Sequence, residues 1–115
     1  MGTEELLRAA RRCHDEGRFG TAADMLLTAF RQEPERFEVA REIGRLLRAV
    51  GDPAAAVDYL KRAWILEPAD GLTVAELVLV LHDLNRRDEA VQVMLASLDA
   101  GLDQTAFVAS LVARD

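Results

Sequence analysis

The sequence contains too little cysteine, histidine and basic charge for several classes of protein. Its 115 residues include one cysteine and two histidines, too few for an internal disulfide or for a zinc site built from these ligands. The formal net charge is −6, which argues against a nucleic-acid-binding surface because such surfaces are basic. No apolar run approaches the roughly 18 residues of a membrane-spanning helix, and the first residues show no signal-peptide pattern. We therefore expect a cytoplasmic protein with no nucleic-acid partner and no direct membrane insertion.

Residues that favour helix are abundant. The chain has 19 alanines and 17 leucines but only six aromatic residues, so its composition favours an all-α fold. Thirteen arginines against one lysine indicate a GC-rich genome, and we expect a bacterial source. The length is that of one small domain.

The sequence repeats itself with a period of 34 residues. Residues 3–36 and 37–70 share nine identities without a gap, including a closing Glu-Pro pair. A third unit, 71–104, is more divergent and has Asn85 where the first two units have glycine. Asparagine tolerates the left-handed backbone nearly as well as glycine does, so the third unit can make the same turn.

Each unit is predicted to form two helices, because apolar residues recur at helical spacing on both sides of this turn. In the second unit Gly51 ends the first helix, Asp52 caps the next one and Pro53 takes its first position. Thr73 and Glu76 fit a capping box at the start of the third unit. Three stacked helix pairs can bury an apolar face that one pair leaves exposed.

The repeated columns resemble those of the tetratricopeptide repeat (TPR) family. That family has a small residue early in the first helix, an alanine, a large apolar residue and a second alanine in the second helix, and a closing proline. These places hold Gly44, Ala56, Leu60, Ala63 and Pro68 in the second unit, and Ala10, Ala22, Leu26, Ala29 and Pro34 in the first. The third unit keeps Ala90, Met94 and Ser97 but has Val78 and Leu102 at the small-residue and proline places.

The resemblance implies an all-α, right-handed α-solenoid of three helical hairpins with a capping helix. The hairpins are expected over about 3–36, 37–70 and 71–104, within a single domain of residues 1–115. The capping helix is expected over about 104–114, where it would cover the open end of the last repeat.

The resemblance also implies that the first helices of the hairpins line a concave groove. Four groove positions hold arginine in a protein that is acidic overall, and neighbouring positions of the third repeat are apolar. A basic concavity attracts acidic ligands, and arginine can bind a carboxylate through two parallel hydrogen bonds. The predicted partner-binding residues are Arg11, Arg41, Arg45, Arg48, Leu72, Ala75, Leu79 and His82.

The same arginines fit a second interpretation, in which they pair with nearby acids and form a solvated helix face. Arg41 could pair with Glu38, and Arg45 with Glu42 or Glu38. The sequence alone leaves both interpretations open.

The sequence contains no glycine-rich phosphate loop, metal-ligand cluster or nucleophile elbow. Cys13 falls on a core column and is predicted to be a buried structural thiol. His14 and His82 lie two repeats apart, too far to share a metal or a proton. We therefore predict that the protein is not an enzyme and has no cofactor.

The predicted function is protein–protein interaction. The protein would be an adaptor or scaffold that holds a peptide or partner helix, acidic with an apolar anchor, in the groove. Two alternatives stay open. One is a structural protein that forms homo-oligomers, such as a homodimer that assembles through the C-terminal helix. The other is a small bacterial TPR chaperone for secretion or membrane-assembly substrates.

Overall fold

The computed structural model describes residues 1–112, and this part of the chain forms three helical hairpins and one further helix. It is an all-α, right-handed solenoid of TPR-type hairpins, which confirms the predicted fold class. The predicted continuation of the last helix to residue 114 lies outside the described residues. The helices are α1 (Thr3–Asp15), α2 (Phe19–Gln32), α3 (Phe37–Ala49), α4 (Pro53–Leu66), α5 (Gly71–Asp83), α6 (Arg87–Asp99) and α7 (Gln104–Val112).

The helix boundaries follow the 34-residue period. The first helices α1, α3 and α5 begin at residues 3, 37 and 71, and the second helices α2, α4 and α6 begin at residues 19, 53 and 87. The turn between them has a left-handed residue at the same place each time: Gly17 (φ 76°), Gly51 (φ 88°) and Asn85 (φ 58°). The following backbone N–H reaches back to the carbonyl of the last turn, for example from Arg86 to Leu81 at 2.8 Å, which is how such a residue ends a helix.

The left-handed backbone at Asn85 gives a stability prediction. Replacing Asn85 by alanine is expected to lower the free energy of unfolding by about 1 kcal/mol, because a Cβ without a polar group disfavours positive φ. The control is Asn85→Gly, which should match or exceed the wild type, and urea denaturation measures all three. Equal stability of the alanine variant and the wild type would contradict the turn geometry.

The core lies between the two layers of helices, where Leu60 and Leu77 are fully buried. The capping of one helix, α5, differs from the sequence prediction. At the start of α5 the helix is capped by Asp70, whose side chain accepts a hydrogen bond from the Thr73 N–H. The predicted capping box of Thr73 and Glu76 is therefore wrong: Glu76 is fully buried and bonds to another repeat.

A candidate binding surface on the first helices

The first helices α1, α3 and α5 stand side by side and form one face of the solenoid, because each contacts the next. On this face the structure brings together all four predicted arginines. Each of them donates to a carboxylate of this same chain. The arginines thus pair with acids, as the second interpretation predicts. However, Arg41 pairs with Asp70 instead of Glu38, and the pairs of Arg41 and Arg45 are largely buried rather than solvated.

Four side chains form a continuous row across the three helices, which we call the charge ladder: Arg11, Glu42, Arg45 and Glu76. Arg11 Nε on α1 lies 3.1 Å from Glu42 Oε1 on α3. Glu42 Oε2 lies 2.9 Å from Arg45 Nη1 on the same helix, and Arg45 Nε lies 3.1 Å from Glu76 Oε1 on α5. The ladder therefore joins the three repeats by hydrogen bonds between opposite charges.

The inner members of the ladder are buried. The side chain of Glu76 is fully buried, that of Glu42 nearly so, and that of Arg45 is 19% exposed. Burial alone would lower the pKa of Arg45, but the negative charges of Glu42 and Glu76 raise it above its ordinary value, so the guanidinium stays charged. Breaking such a buried pair from one side leaves an uncompensated charge, which is strongly destabilising.

Two further ion pairs flank the ladder. Arg41 Nη1 lies 3.1 Å from Asp70 Oδ2, and Arg48 Nε lies 2.7 Å from Asp83 Oδ2. Arg41 is buried, and its guanidinium also stacks over the Phe37 ring at 5.6 Å. Arg48 thus contacts the last residue of α5, and Arg41 contacts the residue that caps its start, so the arginines of α3 hold both ends of α5 as well as its middle.

Asp70 has a lowered pKa that predicts a pH dependence of stability. Burial would raise this pKa, but the Thr73 hydroxyl and N–H, at 2.6 and 2.9 Å, and the charge of Arg41 bring it below its usual 3.8. Since the ionised form is favoured by folding, its contribution is present above the unfolded-state pKa and is lost as the pH falls through the folded-state pKa.

The variant Asp70→Asn is therefore expected to be less stable than the wild type at pH 7, and the gap should narrow as the pH falls to about 3. Urea denaturation at several pH values measures it. A gap that stays constant over this range would show that the charge of Asp70 does not contribute.

The eight residues predicted from the sequence differ in exposure. The side chain of Arg11 is 47% exposed and that of Arg48 28%, whereas Arg41 and Arg45 are mostly buried. The others differ as well: Leu72 and Leu79 are partly exposed, His82 is exposed and Ala75 is fully buried. Ala75 thus has no surface of its own to offer a partner.

Sequence reasoning named Glu42 as a partner of Arg45 but missed the pairs that reach from one first helix to the next, although the sequence carries a signal for two of these pairs. Arg11 and Glu42 are 31 residues apart, and so are Arg45 and Glu76. Both columns follow the 34-residue period, so the same arginine–glutamate pair occurs twice, each time between one first helix and the next. Of the expected pairs, Arg45 with Glu42 is present.

Cys13 is buried, as its core column predicts. Among residues 1–112 no group of three or more histidine, cysteine or acidic side chains is placed to hold a metal ion. No helix in the same range is long and apolar enough to cross a membrane.

Known structures with the same fold include several of the protein MamA. Neither a family model nor a curated protein matches the sequence. MamA designated AMB-1 shares 20% identity with this chain at a TM-score of 0.72, over 90% of this chain and 58% of that one. MamA designated MSR-1 shares 17% at a TM-score of 0.71, over 85% and 56%, and a MamA mutant shares 18% at 0.71, over 84% and 71%. The chain thus spans less than two thirds of the length of the first and second of these proteins, and the likeness is one of fold.

Proposed function

We propose that this chain is a protein-interaction module, an adaptor or scaffold, that binds an acidic segment of a partner protein on the face of α1, α3 and α5. The observation that supports it most is the difference in exposure among the four arginines. All four pair with acids of this chain, but Arg41 and Arg45 are mostly buried in their pairs, whereas Arg11 and Arg48 retain more surface for a partner.

Arg11 and Arg48 are suited to bind a carboxylate. Within residues 1–112, Arg11 donates a hydrogen bond from Nε to Glu42, and Arg48 donates one from Nε to Asp83. A guanidinium has five N–H donors, so the terminal nitrogens can still take a partner carboxylate in a two-bond arrangement. Because each Nε is already held, less side-chain freedom is lost on binding than for a free arginine.

The apolar part of the proposed surface is the pair Leu72 and Leu79 on α5, both partly exposed. Exposed His82 lies one turn beyond Leu79. A segment with a carboxylate near a large apolar side chain fits this combination of groups. The four arginines are matched by four acids, so binding is expected to depend on local pairing rather than on a strongly basic field.

The proposal includes no enzymatic activity and no cofactor, since the charged groups of this face are engaged in pairs that join helices. A bacterial source and a cytoplasmic location are also part of it, supported by the arginine-rich composition and by the lack of a spanning helix in residues 1–112.

The test is a selection of peptides from a random library on the wild-type protein, followed by fluorescence anisotropy on variants. Arg11→Gln/Arg48→Gln should weaken binding of the selected acidic peptides by about tenfold or more, since each lost charge-assisted bond contributes about 1.5 kcal/mol or more. The matched control is Arg31→Gln/Arg87→Gln, which removes the same charge from exposed positions on α2 and α6.

The control variant should bind as the wild type does. Selected peptides without acidic residues, or equal affinity for the wild type and the Arg11/Arg48 variant, would overturn the proposed surface. Circular dichroism on each variant shows whether a loss of binding reflects a loss of fold.

A further inference from the structure

The end of the solenoid formed by α6 and α7 carries exposed apolar side chains and almost no charge. From residue 90 to residue 112 the charged residues are Asp99 and Asp103, although 30% of the whole chain is charged. Five apolar side chains here are between 39% and 65% exposed, and we call them the apolar end: Val91, Leu95 and Leu98 on α6, and Val108 and Val112 on α7. Monomeric proteins rarely leave contiguous apolar surface of this kind uncovered.

Two of the three apolar-end residues of α6, Val91 and Leu98, lie at columns that the preceding repeat uses to hold the next first helix. One period before Val91 and Leu98 stand Val57 and Trp64 on α4, which are buried or half-buried in the core with Val74 and other residues of α5. The exposed face of α6 thus has the apolar character of the faces that pack between repeats, and it could pack against one further helix in the same way.

The helix α7 leaves most of this face open. It packs mainly against α5, where its backbone at Phe107 lies within ordinary contact distance, 3.4 Å, of a Cβ placed on Gly71. Between α6 and α7 a pocket of about 340 Å³ remains, lined chiefly by apolar residues that include Met94, Leu98 and Val108.

We infer that the apolar end is a self-association surface, on which the exposed face of α7 in one copy packs against the exposed face of α6 in a second copy. Val108 and Val112 project from the same face of α7 because they are four residues apart, and they stand beside the pocket that a branched apolar side chain can fill. The valines of α7 and the pocket lie on the same surface. Two copies related by a two-fold axis can therefore insert their valines into each other's pocket, and the assembly ends at a dimer.

The distribution of charge limits where a second copy can dock. With a net charge of −6, two copies repel each other over most of their surface, and the apolar end is where a contact brings the fewest charges together. The inference does not rest on the proposed peptide surface, whose arginines lie on α1 and α3.

The test is the mass of the protein by light scattering on size-exclusion fractions, from about 1 to about 500 µM. The wild type should move from monomer to dimer mass over this range. Leu95→Lys and Val112→Lys should each raise the midpoint concentration of the monomer–dimer transition at least tenfold, since each substitution buries a charge at the interface. The control is Leu27→Lys on α2, where the leucine is 44% exposed and belongs to the first hairpin, two repeats before this end; it should dimerise as the wild type does.

A second measurement identifies the contact between α6 and α7. A mixture of Leu95→Cys and Val112→Cys chains should give, on mild oxidation, a disulfide between the two kinds of chain, detected by mass spectrometry. Both positions are exposed in the monomer, so circular dichroism should be unchanged.

Three results would overturn the inference. One is a wild type that stays monomeric up to the highest concentration, as expected if the surface binds a different protein. Another is a dimer that neither lysine variant weakens. The third is crosslinking of Val112→Cys chains only with each other, which would place α7 against α7.

Discussion

Replacing Gly44 by tryptophan is expected to remove most of the stability of the protein. A Cβ on Gly44 would lie 2.5 Å from Cγ and 2.7 Å from Cδ2 of Leu60, a side chain that is itself fully buried. Neither helix of the second hairpin can yield without opening the core, because α3 and α4 pack closely against each other. We expect the free energy of unfolding to fall by about 3 kcal/mol or more, a large part of the 5–15 kcal/mol typical of a domain.

The matched control is Gly20→Trp. Gly20 is also inside a helix, but no atom lies within 4 Å of a Cβ placed on it. Urea denaturation should show a stability near that of the wild type for this variant. Equal losses for the two variants would mean that the register of the second hairpin is wrong.

Arg45→Glu is expected to have an effect of similar size for an electrostatic reason. The new carboxylate would replace the guanidinium that lies between Glu42 and the fully buried Glu76. Removing one partner of a buried pair costs about 3–5 kcal/mol before the added repulsion is counted. The variant should therefore be largely unfolded at pH 7, as measured by circular dichroism and thermal denaturation.

The control for this prediction is Arg12→Glu, which makes the same charge change at an exposed position of α1. Its stability should stay within about 0.5 kcal/mol of the wild type. A folded Arg45→Glu protein with wild-type stability would show that the charge ladder does not hold the repeats together.

The sequence predicts the fold well because the information is local and repeated. The period of 34 residues determines the helix boundaries, and a left-handed turn needs glycine or asparagine, so Gly17, Gly51 and Asn85 mark it in each repeat. Small residues at the repeated columns predict the close approach of helices, and Gly44 against Leu60 confirms it.

The charged contacts were harder to predict because they form between repeats. Glu76 fits a capping motif with Thr73 in the sequence, but Asp70 lies one turn earlier and makes the cap, which frees Glu76 for Arg45. A separation of 31 residues between an arginine and a glutamate has meaning only once the stacking of the first helices is known. The sequence therefore leaves open whether the groove arginines pair within the chain, whereas each has a partner in the structure.

The position of α7 was also beyond the sequence. The resemblance predicts that it covers the open end of the last repeat, without indicating which helix of that repeat it contacts. In the structure it lies mainly on α5. Both α5 and α6 offer apolar residues, and the hydrophobic pattern of α7 does not distinguish them.

The division of the arginines into structural and partner-binding pairs is the central claim, and one comparison of unfolding free energies tests it most directly. Urea denaturation of Arg41→Gln/Arg45→Gln should show a loss of about 3 kcal/mol or more, since Glu76 and Glu42 would lose buried partners. The same measurement on Arg11→Gln/Arg48→Gln, which removes the same charge from more exposed positions, should show a loss of about 1 kcal/mol or less. Equal losses, or a larger loss for the exposed pair, would contradict the claim.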